Sequence, residues 1–235
     1  MSTSYFILSK PDGPVHDNAS NNVAKFPNQT TYILPSNLIS CYCERGLFEA
    51  GLIEWCKQFC SLDKIMLDIG AHTGTYALSL ASKCKHVYAF EPQKMTYYAL
   101  CGGVALSNLS NVTCMNIGLG SSEQIGTNTL KIVSNDGGGS SIHATTNILR
   151  EEIIQIDRLD NLNLNDIGFI KMDVEDNELF VLQGGVNTLK QSGYPPILFE
   201  CNDKNQNSEL FHFIEAMSYK IIAISGAHNM YLACQ

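Results

Sequence analysis

The sequence predicts an α/β protein of the doubly wound class, built on a mostly parallel sheet. Three observations predict it. Short β-branched runs alternate with helical stretches over most of the chain, a glycine turn follows one of those runs directly, and an acidic residue closes the next run, 21 positions after Gly70. With 235 residues, 45% of them hydrophobic and 16% charged, the chain has apolar material for one large α/β domain.

Residues 1 to about 35 are rich in Ser, Asn and Pro with weak periodicity and read as an irregular arm or cap. From Glu44 to Cys60 the apolar residues Leu47, Phe48, Leu52, Ile53, Trp55, Cys56 and Phe59 recur at steps of three and four, which predicts an amphipathic helix. This divides the chain into an arm over 1–43 and a main domain over 44–235. Strands are predicted at 64–68, 86–90 and 112–116, separated by helices over 75–83 and 93–106. Such short links mean parallel pairing, with the first strand beside the second and ligands at the carboxyl ends.

Residues 119–152 break the rhythm. Gly120, Gly126 and the tract Asn135-Asp136-Gly137-Gly138-Gly139-Ser140-Ser141 interrupt one strand at 129–133, giving a loop-rich insertion with room for a hairpin. The alternation resumes with a strand at 169–173, a helix over 178–190, a strand at 196–200 and a helix over 208–217. Strands at 219–224 and 230–233 then form an antiparallel hairpin around the turn 225–229.

Composition narrows the partners. The formal charge of -8, from 15 Lys+Arg against 23 Asp+Glu with no basic run, argues against nucleic acid as the main partner. The longest purely apolar stretches, such as Ile221 to Ile224, fall far below the roughly 20 residues of a membrane-spanning helix. No basic residue precedes the short apolar run Tyr5 to Leu8, so no signal peptide is expected and a cytoplasmic protein is. Nine cysteines, an odd number without a CxxC pair, read as reduced thiols, not as disulfides or a zinc site. The sequons at Asn18, Asn28, Asn108 and Asn111 then read as incidental.

The first strand runs into Asp68-Ile69-Gly70-Ala71-His72-Thr73-Gly74, and a helix follows. Such a turn lets backbone approach a ligand closely and aims helix amides at it. His72 stands where a dinucleotide fingerprint would place its second glycine, the one that admits pyrophosphate. Its presence, with a carboxylate at Asp68, fits a ligand without phosphate and with a positive group, as S-adenosylmethionine has. Glu91, followed by Pro92, stands at the spacing expected of a carboxylate that binds ribose hydroxyls.

On these residues the chain resembles the FkbM family of S-adenosylmethionine-dependent methyltransferases. Three blocks carry the resemblance: Met66 to Gly74, Val87 to Pro92, and Phe169-Ile170-Lys171-Met172-Asp173-Val174-Glu175-Asp176-Asn177-Glu178 with Val181-Leu182-Gln183-Gly184-Gly185. Gly139-Ser140-Ser141 and Leu159-Asp160-Asn161-Leu162 add to it. The resemblance implies a Rossmann-like class I methyltransferase sheet of seven strands with an antiparallel C-terminal strand. It implies a cofactor site at Asp68, Gly70, Ala71, His72, Thr73, Gly74, Glu91, Pro92, Asn116 and Gly118, with Asn116 on the adenine. It also implies O-methylation of a hydroxyl on a sugar, glycan or secondary metabolite. Asp176 replaces the family's usual glycine, which bears on substrate preference more than on methyl transfer.

Asp173, Glu175 and Glu178 would gather carboxylates at the carboxyl edge of the sheet, where a base must take the acceptor's proton. Lys171 would orient one of them, and His143, beside the glycine tract, is a second candidate base. Asp173, Glu200 and Asn202, with Asp203 adjacent, also offer oxygen ligands from neighbouring strand ends that suit magnesium. Rival readings are a nucleotide-dependent oxidoreductase on a similar sheet and a non-catalytic protein that retains the cofactor pocket.

Overall fold

The computed structural model describes residues 4–11, 29–201 and 207–235. Strands β1 (Tyr5–Pro11) and β2 (Gln29–Pro35) come first, then helices α1 (Ile39–Arg45) and α2 (Ala50–Cys56). The main alternation follows as β3 (Ile65–Ile69), α3 (Thr75–Leu80), β4 (His86–Phe90), α4 (Lys94–Leu106) and β5 (Val112–Met115). An insertion holds β6 (Gly118–Leu119), β7 (Gly126–Ile132) and β8 (Arg150–Asp157). The last part comprises β9 (Ile167–Met172), α5 (Glu178–Gln183), α6 (Val186–Gln191), β10 (Ile197–Glu200), α7 (Asn207–Ala216), β11 (Lys220–Ala223) and β12 (Met230–Cys234).

Seven strands form the central sheet in the order β5-β4-β3-β9-β10-β12-β11. Neighbours from β5 to β10 pair in parallel, while β12 runs antiparallel to both β10 and β11. The inner strands β3, β9 and β10 are nearly continuous apolar runs because both of their faces are covered. Met66, Val87 and Ala89 face one core with Leu78, Leu80 and Leu100 of α3 and α4. Leu67, Ile69, Phe90 and Ile170 face the other, with Val181, Leu182, Leu189, Leu210 and Ile214 of α5 to α7. The helices therefore change face between β3 and β9, and a doubly wound sheet opens its ligand crevice at that switch point.

Three stretches differ from expectation. In place of an irregular arm, β1 and β2 pair antiparallel across their full length. Strand β2 lies close on α4, where a Cβ on Gly102 would come 2.5 Å from Ile33 Cδ1 and that side chain would have to move. Ser107 Oγ accepts the Thr31 amide at 2.8 Å, and Tyr32 and Leu34 are buried. Of the helix expected over 44–60 only α2 and a 3-10 turn at Lys57–Phe59 form, because Gly46 (φ 78) and Glu49 (φ 55) take positive φ between α1 and α2. The helix expected over 178–190 likewise breaks between α5 and α6, at Gly184-Gly185.

The insertion is a second sheet. Strand β8 pairs antiparallel with β7 and parallel with β6, and Leu130, Ile132, Ile154 and Ile156 form its small core. The alternation of Ile154, Gln155 and Ile156 was the available signal for β8, and the surrounding glycines masked it. Among the described residues no helix is long and apolar enough to cross a membrane. All nine cysteines are free.

Candidate active site

The turn after β3 is built around a buried carboxylate. Asp68 is fully buried, and its Oδ2 accepts the amide of Ala77 at 2.9 Å, satisfying one of the open donors of α3. Its Oδ1 has no hydrogen bond and lies 3.8 Å from Lys171 Nζ. Burial pushes this carboxyl upward, opposed by Lys171 and the Ala77 amide. Gly70 and Ala71 donate their amides to Phe90 O at 3.0 and 2.9 Å, which ties the turn to β4. His72 takes φ 51 and its Nε2–H donates to Asp136 O at 2.7 Å. Thr73 is buried behind the turn, and Gly74 caps α3 at φ 85.

Glu91 follows β4 and is buried with both carboxylate oxygens engaged. Oε2 accepts the amide of His72 at 2.7 Å and Oε1 that of Gln93 at 2.8 Å. Burial raises its pKa, with His72 and these amides opposing. Asn116 donates its side-chain amide to Glu91 O at 2.9 Å and Pro92 O at 3.0 Å, so it braces the strand end. Glu91, Pro92 and Gly118 line the cavity described below, whereas Asn116 does not.

At the end of β9, Lys171 is buried and reaches Gly70 O at 3.0 Å and Asp173 Oδ2 at 3.4 Å. Burial opposes its charge, but Asp173, Asp68 and Glu49 outweigh burial and raise its pKa. Glu175, at φ 53, accepts the Gly139 amide on Oε1 at 2.9 Å, and its own carbonyl accepts Ser141 Oγ at 2.6 Å. Burial and then the Asp173 charge push the Glu175 carboxyl up. Asp173, Glu175 and Glu200 each bring an oxygen to a common point, all within 4.8 Å of one another. These are hard donors of the kind magnesium takes. Asn202 and Asp203 lie outside the described residues.

Glu178 turns away from this cluster. It is buried, and its Oε1 accepts the Val174 amide at 3.0 Å, closing the turn between β9 and α5. Burial pushes its carboxyl from 4.5 up to about 7. Folding thus favours the protonated form, whose contribution is complete below the unfolded pKa and is lost as pH rises through the folded one. Stability is expected to fall by about 3 kcal/mol from this group between about pH 4 and about pH 8. Glu178→Gln should remove that part of the slope. Denaturant unfolding of both proteins at the two pH values measures the difference and separates it from Asp68, Glu91 and Glu175, which shift in the same direction.

These elements enclose a cavity of about 320 Å³, within the range of small-molecule sites. Its lining includes an apolar group, Pro92, Leu119, Leu130, Ile154 and Ile156, of which the last three pack together in the second sheet. It also includes a polar group, Gly70, Tyr76, Lys171, Asp173 and Glu175, in which Gly70, Tyr76 and Asp173 surround Lys171. His143 is not in the wall. It hydrogen-bonds Asn177 Oδ1 at 2.9 Å and stacks on Phe180, while Asn177 itself lines the cavity. Pro35, Leu38, Tyr42, Phe48 and Glu49 from the N-terminal segment also line it, as do Asp136 to Ile142. Sequence reasoning missed Tyr42, Glu49 and Tyr76; Gly46, a helix breaker just before Glu49, was the only signal for that corner.

The strand order, the single reversed strand and a cavity at the carboxyl ends beside a glycine turn define a Rossmann-like methyltransferase fold. A model of the methyltransferase FkbM domain matches residues 68–221, most of the chain. The chain belongs to the FkbM methyltransferase domain family. Among solved structures, it is similar to methyltransferase FkbM from Methylobacillus flagellatus KT, at TM-score 0.53 and 19% identity over 74% of this chain and 44% of that one. The chain therefore spans less than half of that relative. It is also similar in fold to precorrin-6y C5,15-methyltransferase from Geobacter metallireducens GS-15, at TM-score 0.50 and 12% identity over 81% of this chain and 89% of that one. No curated protein matches the sequence.

Proposed function

We propose that this chain transfers a methyl group from S-adenosylmethionine to a hydroxyl of a small molecule, with a sugar, glycan or secondary metabolite as acceptor. The observation that carries the reading is the cavity at the switch point, lined by an apolar and a polar group, in a chain of the FkbM family. Its residues fit the cofactor. The apolar group suits an adenine, and the Glu91 carboxylate keeps lone pairs for ribose hydroxyls beyond the two amides it accepts. When bound, the cofactor supplies an electrophilic methyl on a sulfonium and leaves as a neutral thioether.

The chain's own groups then have the following tasks. Glu175, its carboxyl raised by burial and by Asp173, would take the proton from the acceptor hydroxyl. Lys171 holds Asp173 against the Gly70 carbonyl and fixes that side of the cavity. Glu178 shapes the turn through the Val174 amide, and His143 fixes Asn177. Magnesium, if bound, would be held by Asp173, Glu175 and Glu200 and would itself lower the hydroxyl pKa, in place of proton transfer to Glu175. We take residues 1–43 as a cap on the domain of 44–235, and the cytoplasm as the setting, in keeping with the free cysteines.

Release of S-adenosylhomocysteine across a panel of hydroxyl and amine acceptors, with and without magnesium, tests the reading. Glu175→Gln is expected to lower kcat by about 10² to 10⁴ while leaving cofactor affinity within about twofold. Unchanged turnover in this variant, or transfer to amines only, would contradict the assignment.

A further inference from the structure

The lining of the cavity carries five carboxylates, Glu49, Glu91, Asp136, Asp173 and Glu175, against the ammonium of Lys171. Each has a partner. Asp173 pairs with Lys171, Glu91 accepts two backbone amides, and Glu175 accepts one. Asp136 accepts Asn37 Nδ2 at 2.9 Å and the Gly138 amide at 3.2 Å. Glu49 Oε2 accepts the Tyr76 hydroxyl at 2.9 Å, and among the described residues Glu49 has no ion pair within 4.0 Å.

Glu49 is also held in an unusual posture. Its backbone takes φ 55 and ψ 22, the left-handed region that a residue with a side chain adopts at a cost. The result is an exposed carboxylate fixed at the cavity wall by a tyrosine that is itself 3% exposed. The Tyr76 ring stands 5.3 Å from Lys171 Nζ, and Lys171 bonds Gly70 O. Glu49 is therefore linked through Tyr76 and Lys171 to the Gly70 side of the cavity.

A ligand with adenine against the apolar group and ribose at Glu91 carries its amino-acid tail toward Gly70 and Lys171. That tail brings an ammonium into a region where Asp173 is ion-paired with Lys171 and where Glu49 presents its carboxylate from the N-terminal segment. We propose that Glu49 binds the α-ammonium of the cofactor, so that the N-terminal segment completes the cofactor site. Glu49 precedes the segment 68–221 that the family model matches. The assignment rests on the S-adenosylmethionine reading above.

Calorimetric titration of the full chain with S-adenosylhomocysteine and with 5′-methylthioadenosine, which lacks the amino-acid tail, tests it without knowledge of the acceptor. Glu49→Gln should weaken S-adenosylhomocysteine about tenfold and leave 5′-methylthioadenosine within about twofold. Tyr76→Phe, which keeps the ring and removes the anchor, should show the same pattern at about threefold. Glu54→Gln, an equal charge change on α2 outside the cavity, should move neither ligand. Parallel weakening of both ligands in Glu49→Gln would mean a merely structural role and overturn the assignment, as would no change in either. If the unmodified chain binds neither ligand, the cofactor reading fails first and takes this assignment with it.

Discussion

Gly70→Ala is expected to cost about 3 kcal/mol or more of stability and to remove measurable binding of adenosyl ligands. A Cβ at this position would stand 1.7 Å from Asp173 O and 3.3 Å from Val174 Cγ1, at a backbone φ of +75. The carbonyl cannot withdraw cheaply, because the Asp173 amide donates to Ile69 O at 2.9 Å and holds the two strand ends together. The substitution therefore forces apart the two loops that form one end of the cavity. Denaturant unfolding together with titration by S-adenosylhomocysteine measures both effects. A variant within about 0.5 kcal/mol of the parent, still binding, would mean that the close approach of these loops is not needed.

Glu91→Ala is expected to weaken S-adenosylhomocysteine by about 100-fold, or about 2.7 kcal/mol. Two losses add. The ribose hydroxyls lose their acceptor, and the buried amides of His72 and Gln93 lose theirs, so the glycine turn loses the side chain that fixes its far end. Glu91→Gln should fall between, since an amide keeps one acceptor oxygen and places donors against the other N–H. Equal affinity in the parent and both variants would remove Glu91 from the site.

The parallel frame was legible because its inner strands β3, β9 and β10 are short apolar runs buried on both faces, and because the turn at Gly70 and the carboxylate at Glu91 stand in register at adjacent strand ends. The C-terminal hairpin was legible from its two apolar runs, β11 and β12, separated by a glycine-containing turn. What sequence reasoning missed was decided by tertiary contact. Strand β2 exists by lying on the Gly102-Gly103 surface of α4, a partner about 70 residues away that no local pattern announces. The split between α1 and α2 depends on a left-handed Glu, which periodicity cannot foresee.

Within the site, spacing placed the carboxylates at the correct edge but could not say where each side chain turns. Asp173 and Glu175 face the cavity, while Glu178 folds back onto Val174, because residues a few positions apart on a tight turn diverge once φ is positive. Asn116 and His143 show the same limit, since both are used within the protein, on the Glu91–Pro92 backbone and on Asn177. Glu49 and Tyr76 were out of reach because one lies in the segment read as a lead-in helix and the other inside an apolar helix pattern.

Titration of the full chain with S-adenosylhomocysteine and, separately, with NAD(H) tests the central claim most directly. Saturable binding of the adenosyl ligand with no binding of NAD(H) is the predicted result, since His72 stands where pyrophosphate would need a glycine. Binding of NAD(H) alone, or of neither ligand, would contradict the methyltransferase account.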